Sequence, residues 1–277
     1  MLSRTFMHIP GVSSAKEKKL WGLGILDHDR LLASGLVADP TSQPDWHVET
    51  KLALKRHDHG YFTSRLPPSE HYRLALDYPT ETAFLDIETT GMNKTYDHVT
   101  VIGWSMGGAF DVMVHGRDDP GKFIADMARA KAMVTFNGRT FDVPVIARTY
   151  PGISLPRAHA DLRYLCKKVD LSGGQKAVEA QIGLERQQGK GSGEQAVILW
   201  HAFKRGRSLE IRKAALRDLI VYNHADVEGM KPILDICVER LTTRGLLPGG
   251  LGCRGLFGAL ASRPDFGDGF PFSLEPF

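Results

Sequence analysis

Two acidic residues lie at the end of an apolar stretch that is typical of a β-strand. Asp86 and Glu88 follow Ala83, Phe84 and Leu85 in the segment AFLDIETTG. Because side chains alternate between the two faces of a strand, both carboxylates would project from one face of a buried sheet. Buried carboxylates protonate unless a positive charge compensates them, and divalent cations supply such a charge. The pair therefore predicts metal-dependent chemistry.

Two further aspartates and a tyrosine occur in comparable settings. Asp142 follows an apolar strand in MVTFNGRTFD, at the expected start of a helix. Asp226 comes four residues after Tyr222 in YNHAD, so the two side chains share one face if the segment is helical. Oxygen ligands without cysteine or paired histidines favour Mg²⁺ or Mn²⁺ over zinc. We therefore expect a magnesium or manganese site.

The segments that carry these residues predict an α/β fold. AFLDIETTG, VTVIGWSM and AFDVMVHG read as strands, a helix is expected over 120–131, and MVTFNG reads as a fourth strand. The first three strands are too close in sequence for helical crossovers, so the sheet should be mixed. Further helices are expected over 161–169, 175–182, 194–203 and 209–241.

Three motifs together resemble those of a known nuclease superfamily. DIETTG, NGRTFD and YNHAD resemble the exonuclease motifs of the DEDD superfamily, with the tyrosine-type third motif of polymerase proofreading domains. HADLRYL, GGQKAVEAQIGLER and EQAVILWHAFKRG also resemble a family of prokaryotic ribonuclease H-like predicted exonucleases, over about residues 81–242. The resemblance implies a ribonuclease H-like mixed sheet flanked by helices. It also implies a 3'-5' exonuclease that uses two Mg²⁺ or Mn²⁺ ions.

The resemblance assigns a role to each of the five residues. Asp86 would bridge both ions, and Glu88 and Asp226 would complete the site of the catalytic ion. Asp142 would help to place the second ion, largely through water, and Tyr222 would orient the attacking water. In a two-metal site one ion activates the nucleophile, and both stabilise charge on the phosphate and the leaving oxygen.

Substrate contacts are expected near the motifs and in a basic stretch. Thr89 belongs to the first motif, and Asn137 either fixes its own loop or touches the terminal nucleotide. The stretch 186–217 has eight basic and two acidic residues, and it leads into the segment of Tyr222. Such a stretch could hold the backbone of an incoming strand. The candidates within it are Arg205, Arg207, Arg212 and Lys213.

Three other polar positions near the motifs have less specific interpretations. The histidine-type variant of the superfamily would place a histidine at Val221, so we expect His224 on a helix surface. Asp161 is either a helix N-cap or an auxiliary site residue. The segment 173–176, GGQK, lacks the family's usual leucine after the glycines, a departure that is expected to affect packing rather than chemistry.

Residues 1–80 predict a small helical region followed by a connector. Within 5–36, two short helices are expected near 15–23 and 27–33, in a pattern that resembles a helix-hairpin-helix element. The glycine hairpin of such an element offers backbone N–H groups to a phosphate. The alternative is a helical cap in which Leu20, Trp21, Ile25 and Leu31 pack on the main domain. Residues 37–80, with five prolines, suggest a connector with one or two short elements.

The remaining boundaries follow from the resemblance and from composition. The exonuclease domain would span 81–242, and 243–277 is a tail rich in glycine and proline. Eight glycines and four prolines in that tail predict disorder or loose docking.

The overall composition is that of a soluble globular protein, with 42% hydrophobic and 24% charged residues. No stretch approaches the roughly 18 apolar residues that span a bilayer, and no signal peptide is evident, so a cytoplasmic protein without a membrane partner is expected. The three cysteines fit neither a disulfide framework nor a zinc knuckle. A net charge of +3 is too small to indicate a nucleic-acid partner by itself.

Two alternatives to an exonuclease stay open on the same residues. A structure-specific endonuclease would use the same metal site, but with an open groove rather than a pocket over a strand end. A non-catalytic nucleic-acid-binding module would keep the fold, although the four acids and the tyrosine argue against it. The expected partner is DNA or RNA, single-stranded or with a 3' end.

Overall fold

A mixed five-stranded sheet forms the centre of the molecule. The computed structural model describes residues 1–37, 45–91, 93, 95–186, 189, 191, 193–251 and 255–261. The strands are β1 (Thr82–Thr89), β2 (Val99–Met106), β3 (Ala109–Val114), β4 (Ala132–Thr135) and β5 (His159–Asp161). Their order in the sheet is β3-β2-β1-β4-β5. β1 pairs antiparallel with β2 and parallel with β4, which confirms the mixed sheet.

Eleven α-helices surround or extend this sheet in the described part of the chain. Those predicted from periodicity agree with the structure to within a few residues. The helices are α1 (Ser14–Gly22), α2 (His28–Ser34), α3 (Trp46–Lys55), α4 (His59–Arg65), α5 (Tyr72–Asp77), α6 (Gly121–Arg129), α7 (Asp142–Thr149), α8 (Leu162–Lys167), α9 (Gln175–Gln181), α10 (Gly193–Arg205) and α11 (Leu209–Thr243).

The long helix α11 packs against β1 and β2. It begins after Ser208, whose side chain caps the helix by accepting a hydrogen bond from the Ile211 N–H. Its first half buries Leu219 against Phe203 of α10, in a cluster that also contains Val101 of β2. Its second half joins the main hydrophobic core, which includes Phe84 of β1 and Ala132 of β4. The middle of α11 is thereby held next to β1.

The N-terminal region is a small helical cap with its own apolar cluster. Phe6, Leu20, Ile25 and Leu31 are buried together, while Trp21 also contacts the main core. Trp21 therefore packs on the main domain as the cap interpretation expected, whereas Leu20, Ile25 and Leu31 pack within the cap itself. Gly11 has a φ of +77° in the turn before α1. Phosphate binding by that turn stays a prediction.

Three parts of the chain differ from what the sequence suggested. β5 was missed because three residues give no detectable alternation. The connector is more regular than expected, since α3, α4 and α5 lie within it; they are short and separated by polar or proline-containing turns. Part of the tail is firmly docked: Phe257 is fully buried with its ring 5.4 Å from that of Phe84, and the Asp235 carboxylate accepts from the Phe257 and Gly258 N–H groups.

The rest of the tail, 252–254 and 262–277, lies outside the described residues, and so does one of the three cysteines. Across the part of the chain that is described, no helix combines the length and the apolar character needed to cross a membrane.

Candidate active site

Three predicted acids meet where α11 crosses β1. Asp86 and Glu88 come from the strand, and Asp226 comes from the helix. One carboxylate oxygen from each lies within 4.8 Å of the others. Glu88 is buried, whereas Asp86 and Asp226 are partly exposed. This spacing allows all three side chains to ligate a single cation.

The fourth acid, Asp142, lies beside this group without being part of it. It is the first residue of α7 and is buried. Its carboxylate accepts a hydrogen bond from the backbone of Ile87, between the two acids of β1. Burial raises the pKa of Asp142 to about 7, and its charge also helps to raise the pKa of Asp86. Asp142 therefore contributes to the same electrostatic site.

The acids are strongly destabilised as free carboxylates. Burial, followed by the charge of Asp226, raises the pKa values of Asp86 and Glu88 well above their usual range. Burial also raises the pKa of Asp226, although the guanidinium of Arg186 opposes this shift. A cluster of buried carboxylates gains most from a bound divalent cation. Both the donor set and its electrostatics therefore fit Mg²⁺ or Mn²⁺.

Tyr222 lies one turn before Asp226 and contacts a lysine that the sequence did not single out. The Lys176 ammonium of α9 donates to the Tyr222 hydroxyl at 2.8 Å, and lies 4.3 Å from the ring centroid. Lysine can only donate, so the phenol oxygen accepts and its own proton remains for another acceptor. Lys176, within segment 173–176, also lines the cleft beside the acids.

Arg186 also belongs to the site. Its guanidinium approaches the Asp226 carboxylate at 2.6 Å and forms two hydrogen bonds, of 2.5 and 2.6 Å, with the buried Glu179. The sequence suggested only a general backbone-binding role for this cation. Because Glu179 comes from α9, the contact could not be inferred from the order of residues around Asp226.

Asn223 orients the acids of β1 from a fully buried position on α11. Its Nδ2 donates to Asp86 Oδ2 at 3.0 Å and to Glu88 Oε1 at 3.3 Å. Its Oδ1 has no hydrogen-bond partner among the described residues. A Cβ atom added to Gly103, which pairs with Asp86 across the sheet, would lie 1.8 Å from this oxygen. A lone glycine inside a buried strand is the sequence signal for such a close approach.

A cleft of about 520 Å³ opens over the acids. Asn137 lines it with a φ of +68°, and its side-chain oxygen accepts a hydrogen bond of 2.8 Å from Arg163. The Asn137 N–H donates to Asp161 at 2.8 Å. Asn137 therefore both fixes its loop and faces the space where a substrate could bind.

The other predicted substrate contacts lie elsewhere. The Thr89 hydroxyl donates to the carbonyl of Gly91, within its own turn. The Arg212 side chain donates to the Phe203 carbonyl and so joins α11 to α10. None of the predicted basic residues is among the described residues that line the cleft, and their contact with nucleic acid stays a prediction. These residues are Arg205, Arg207, Arg212 and Lys213.

Two further residues that the sequence singled out are His224 and Asp161. His224 is buried with its ring edge-to-face against Phe110, so the prediction that it lies on a helix surface is wrong. Asp161 caps α8 by accepting from the Arg163 N–H at 3.1 Å. It also accepts from the Asn137 N–H in the loop that lines the cleft, and its charge helps to raise the pKa of Asp142.

Comparison with known proteins agrees with this fold. The family model of the RNase H superfamily matches residues 83–238, more than half of the chain. The chain belongs to the RNase H superfamily. Among solved structures it is similar to the exonuclease domain of Nibbler from Aedes aegypti, with 13% identity and a TM-score of 0.33. That match covers 69% of this chain and 91% of the other. The comparison with curated proteins gave no match.

Proposed function

We propose that this protein is a metal-dependent 3'-5' exonuclease that hydrolyses phosphodiester bonds at nucleic-acid 3' ends. The observation that carries the proposal is the convergence of Asp86, Glu88 and Asp226 within 4.8 Å, on the helix face that also bears Tyr222. Membership of the RNase H superfamily supports a nucleic-acid substrate. The 3' polarity follows from the resemblance of the three motifs.

The acids would hold two Mg²⁺ or Mn²⁺ ions. Asp86, Glu88 and Asp226 suit one ion, and Asp142 would help to hold the second beside Asp86. When bound, such ions lower the pKa of water and neutralise charge on the phosphate. Asn223 keeps the two carboxylates of β1 in one orientation through its shared amide hydrogen bonds.

Tyr222 would act as a hydrogen-bond donor rather than as a base. Burial and the nearby carboxylates raise the pKa of its phenol, so the hydroxyl keeps its proton at neutral pH. Lys176 occupies the phenol oxygen as a donor, which leaves the O–H free to bond to an acceptor in the cleft. The attacking water is such an acceptor, and this bond would fix its position relative to the phosphate.

The activity can be tested with 5'-labelled single-stranded and duplex DNA and RNA in Mg²⁺ or Mn²⁺. We expect a ladder that shortens from the 3' end with the wild type and disappears with Asp86→Asn. Asp218→Asn is the matched control, because Asp218 is an exposed aspartate of the same helix as Asp226. Internal cuts would favour a structure-specific endonuclease. Binding without cleavage by the wild type would favour a non-catalytic module.

A further inference from the structure

A second, smaller cavity lies next to the cleft, between α8 and the 3-10 helix Pro68–Glu70. Its volume is about 240 Å³. Its walls are largely apolar and aromatic, with two cations and the acidic residue Asp161 among them. The lining includes Pro68, Tyr72, Arg139, Tyr164, Leu165 and Lys168.

The two cavities share one wall. Asn137 and Arg163 line the cleft, while Arg139 and Tyr164 line the second cavity. Asp161 fixes the wall by accepting from the N–H groups of Asn137 at 2.8 Å and Arg139 at 3.1 Å. Arg163, which lines the cleft, and Tyr164, which lines the second cavity, are consecutive residues of α8.

The walls of the second cavity are held in place before any ligand binds. The Arg139 guanidinium donates to the carbonyls of Pro68 at 3.1 Å and His159 at 2.6 Å. The Lys168 ammonium donates to the Ser69 carbonyl at 3.1 Å. Such a preformed cavity has little ordering cost when a ligand enters.

The exposed face of α8 has the chemistry of a single-strand binding surface. Tyr164 is 46% exposed although it is a large aromatic residue. The Lys167 ammonium lies 5.7 Å from its ring centroid, and Arg163 is exposed on the side of the cleft. Aromatic rings that stack on bases, beside cations that bind the backbone, are the usual means of binding unpaired strands.

We propose that the second cavity binds one unpaired base of the substrate strand, stacked on Tyr164, while Arg163 contacts the adjoining phosphate. This inference rests on the proposed exonuclease function, because the strand end must lie in the cleft. The cavity has less than half the volume of the cleft, which suits a single base. A paired base would bring its partner strand against α8, so the cavity selects for single-stranded substrate near the 3' end.

Binding measurements test the cavity independently of catalysis. In an Asp86→Asn background, fluorescence anisotropy with a 5'-labelled single-stranded oligonucleotide gives the Kd without cleavage. We expect Tyr164→Ala to weaken binding about 5- to 150-fold, the range for loss of one base stack. Tyr164→Phe keeps the ring and should bind like its parent. Lys55→Ala, an exposed cation of α3 that lines neither cavity, should also leave Kd unchanged.

Single abasic substitutions along the oligonucleotide identify the bound base. Removal of the base at one position near the 3' end should weaken binding to the parent protein. In Tyr164→Ala, removal of that base should no longer change the Kd, while the other positions should respond as in the parent. Equal binding by Tyr164→Ala and its parent, or abasic sensitivity that persists in Tyr164→Ala, would overturn the proposal.

A substrate confined to the cleft separates this inference from the proposed function. The p-nitrophenyl ester of thymidine 5'-monophosphate carries no second base, so Tyr164→Ala with all acids intact should hydrolyse it at the wild-type rate. A large loss would overturn the proposal by showing that Tyr164 shapes the cleft itself. If the wild type fails to hydrolyse both this ester and oligonucleotides, the exonuclease proposal fails, and the anisotropy result still decides whether the cavity binds a base.

Discussion

Single side chains beside the five predicted site residues determine how the acids are oriented. Asn223 donates to both Asp86 and Glu88, and its place is available only because Gly103 lacks a side chain. Lys176 likewise donates to the Tyr222 hydroxyl, which leaves the phenol O–H to act as a donor. These neighbours come from β2, α9 and α11, so sequence reasoning identified the candidate ligands without identifying the residues that orient them.

Gly103→Ala should impair the site while the sheet remains intact. The new Cβ would lie 1.8 Å from Asn223 Oδ1 and displace the amide from the two carboxylates. Loss of a residue that orients metal ligands typically lowers metal affinity or activity by about 10- to 100-fold. Mn²⁺ titration calorimetry checks this, with Gly22→Ala as the control, since a Cβ there meets nothing within 4 Å. Unchanged Mn²⁺ affinity in Gly103→Ala would show that Asn223 does not orient the ligands.

Tyr222→Phe and Lys176→Met should act as one unit. Each removes the hydrogen bond by which the phenol is fixed, so each should lower kcat by about 100-fold, within the range for positioned proton-transfer and hydrogen-bonding groups. Because the two groups share that bond, the double variant should lose little more than either single one. Steady-state kinetics on one oligonucleotide suffice. Losses that multiply in the double variant would mean that the residues act separately.

At the level of secondary structure, β1 and α11 carry most of the candidate site. Both were predictable, because an apolar strand and a long helix leave clear patterns in sequence. β5 was not, because three residues show no alternation, and the connector contains three helices where one or two short elements were expected. Their positions are fixed by tertiary contacts such as the hydrogen bond from the His159 N–H to His71.

The N-terminal cap should depend on Arg73, a buried arginine that forms two ion pairs. Arg73 of α5 contacts Glu17 of α1 and Glu70, each at 2.8 Å, and Glu17 also accepts from the Phe6 N–H. Arg73→Met would leave Glu17 buried without its charge partner, which costs about 3–5 kcal/mol in comparable cases.

Urea unfolding measures this cost. Arg30→Met removes the exposed ion pair with Asp27 and serves as the control, with an expected change of less than about 1 kcal/mol. Similar midpoints for Arg73→Met and the wild type would show that these buried ion pairs do not stabilise the cap.

For the whole molecule, function and stability oppose each other at the acid cluster. Mutual repulsion and burial raise the pKa values of Asp86 and Glu88, which means that their charged forms destabilise the metal-free fold at neutral pH. Bound cations remove this repulsion and stabilise the native state by mass action. An acid cluster that can bind a cation therefore destabilises the native state when no cation is bound.

Asp86→Asn should raise the Tm of the metal-free protein, because it removes one buried charge from the cluster. Addition of Mn²⁺ should raise the Tm of the wild type by several degrees, as expected for a ligand that binds only the native state, and should have a much smaller effect on Asp86→Asn. Thermal unfolding of the wild type and of Asp86→Asn, each in EDTA and in Mn²⁺, gives the four Tm values. A variant less stable than the wild type in EDTA would indicate that Asp86 has a structural role instead.

The most direct test is the identity of the first product released from a single strand labelled at its 3'-terminal nucleotide. A metal-dependent 3'-5' exonuclease releases that label as a mononucleotide, with the wild type and Asp218→Asn but not with Asp86→Asn. Label in longer fragments, or release that is unaffected by Asp86→Asn or by EDTA, would contradict the assignment of Asp86, Glu88 and Asp226 as the centre of an exonuclease site.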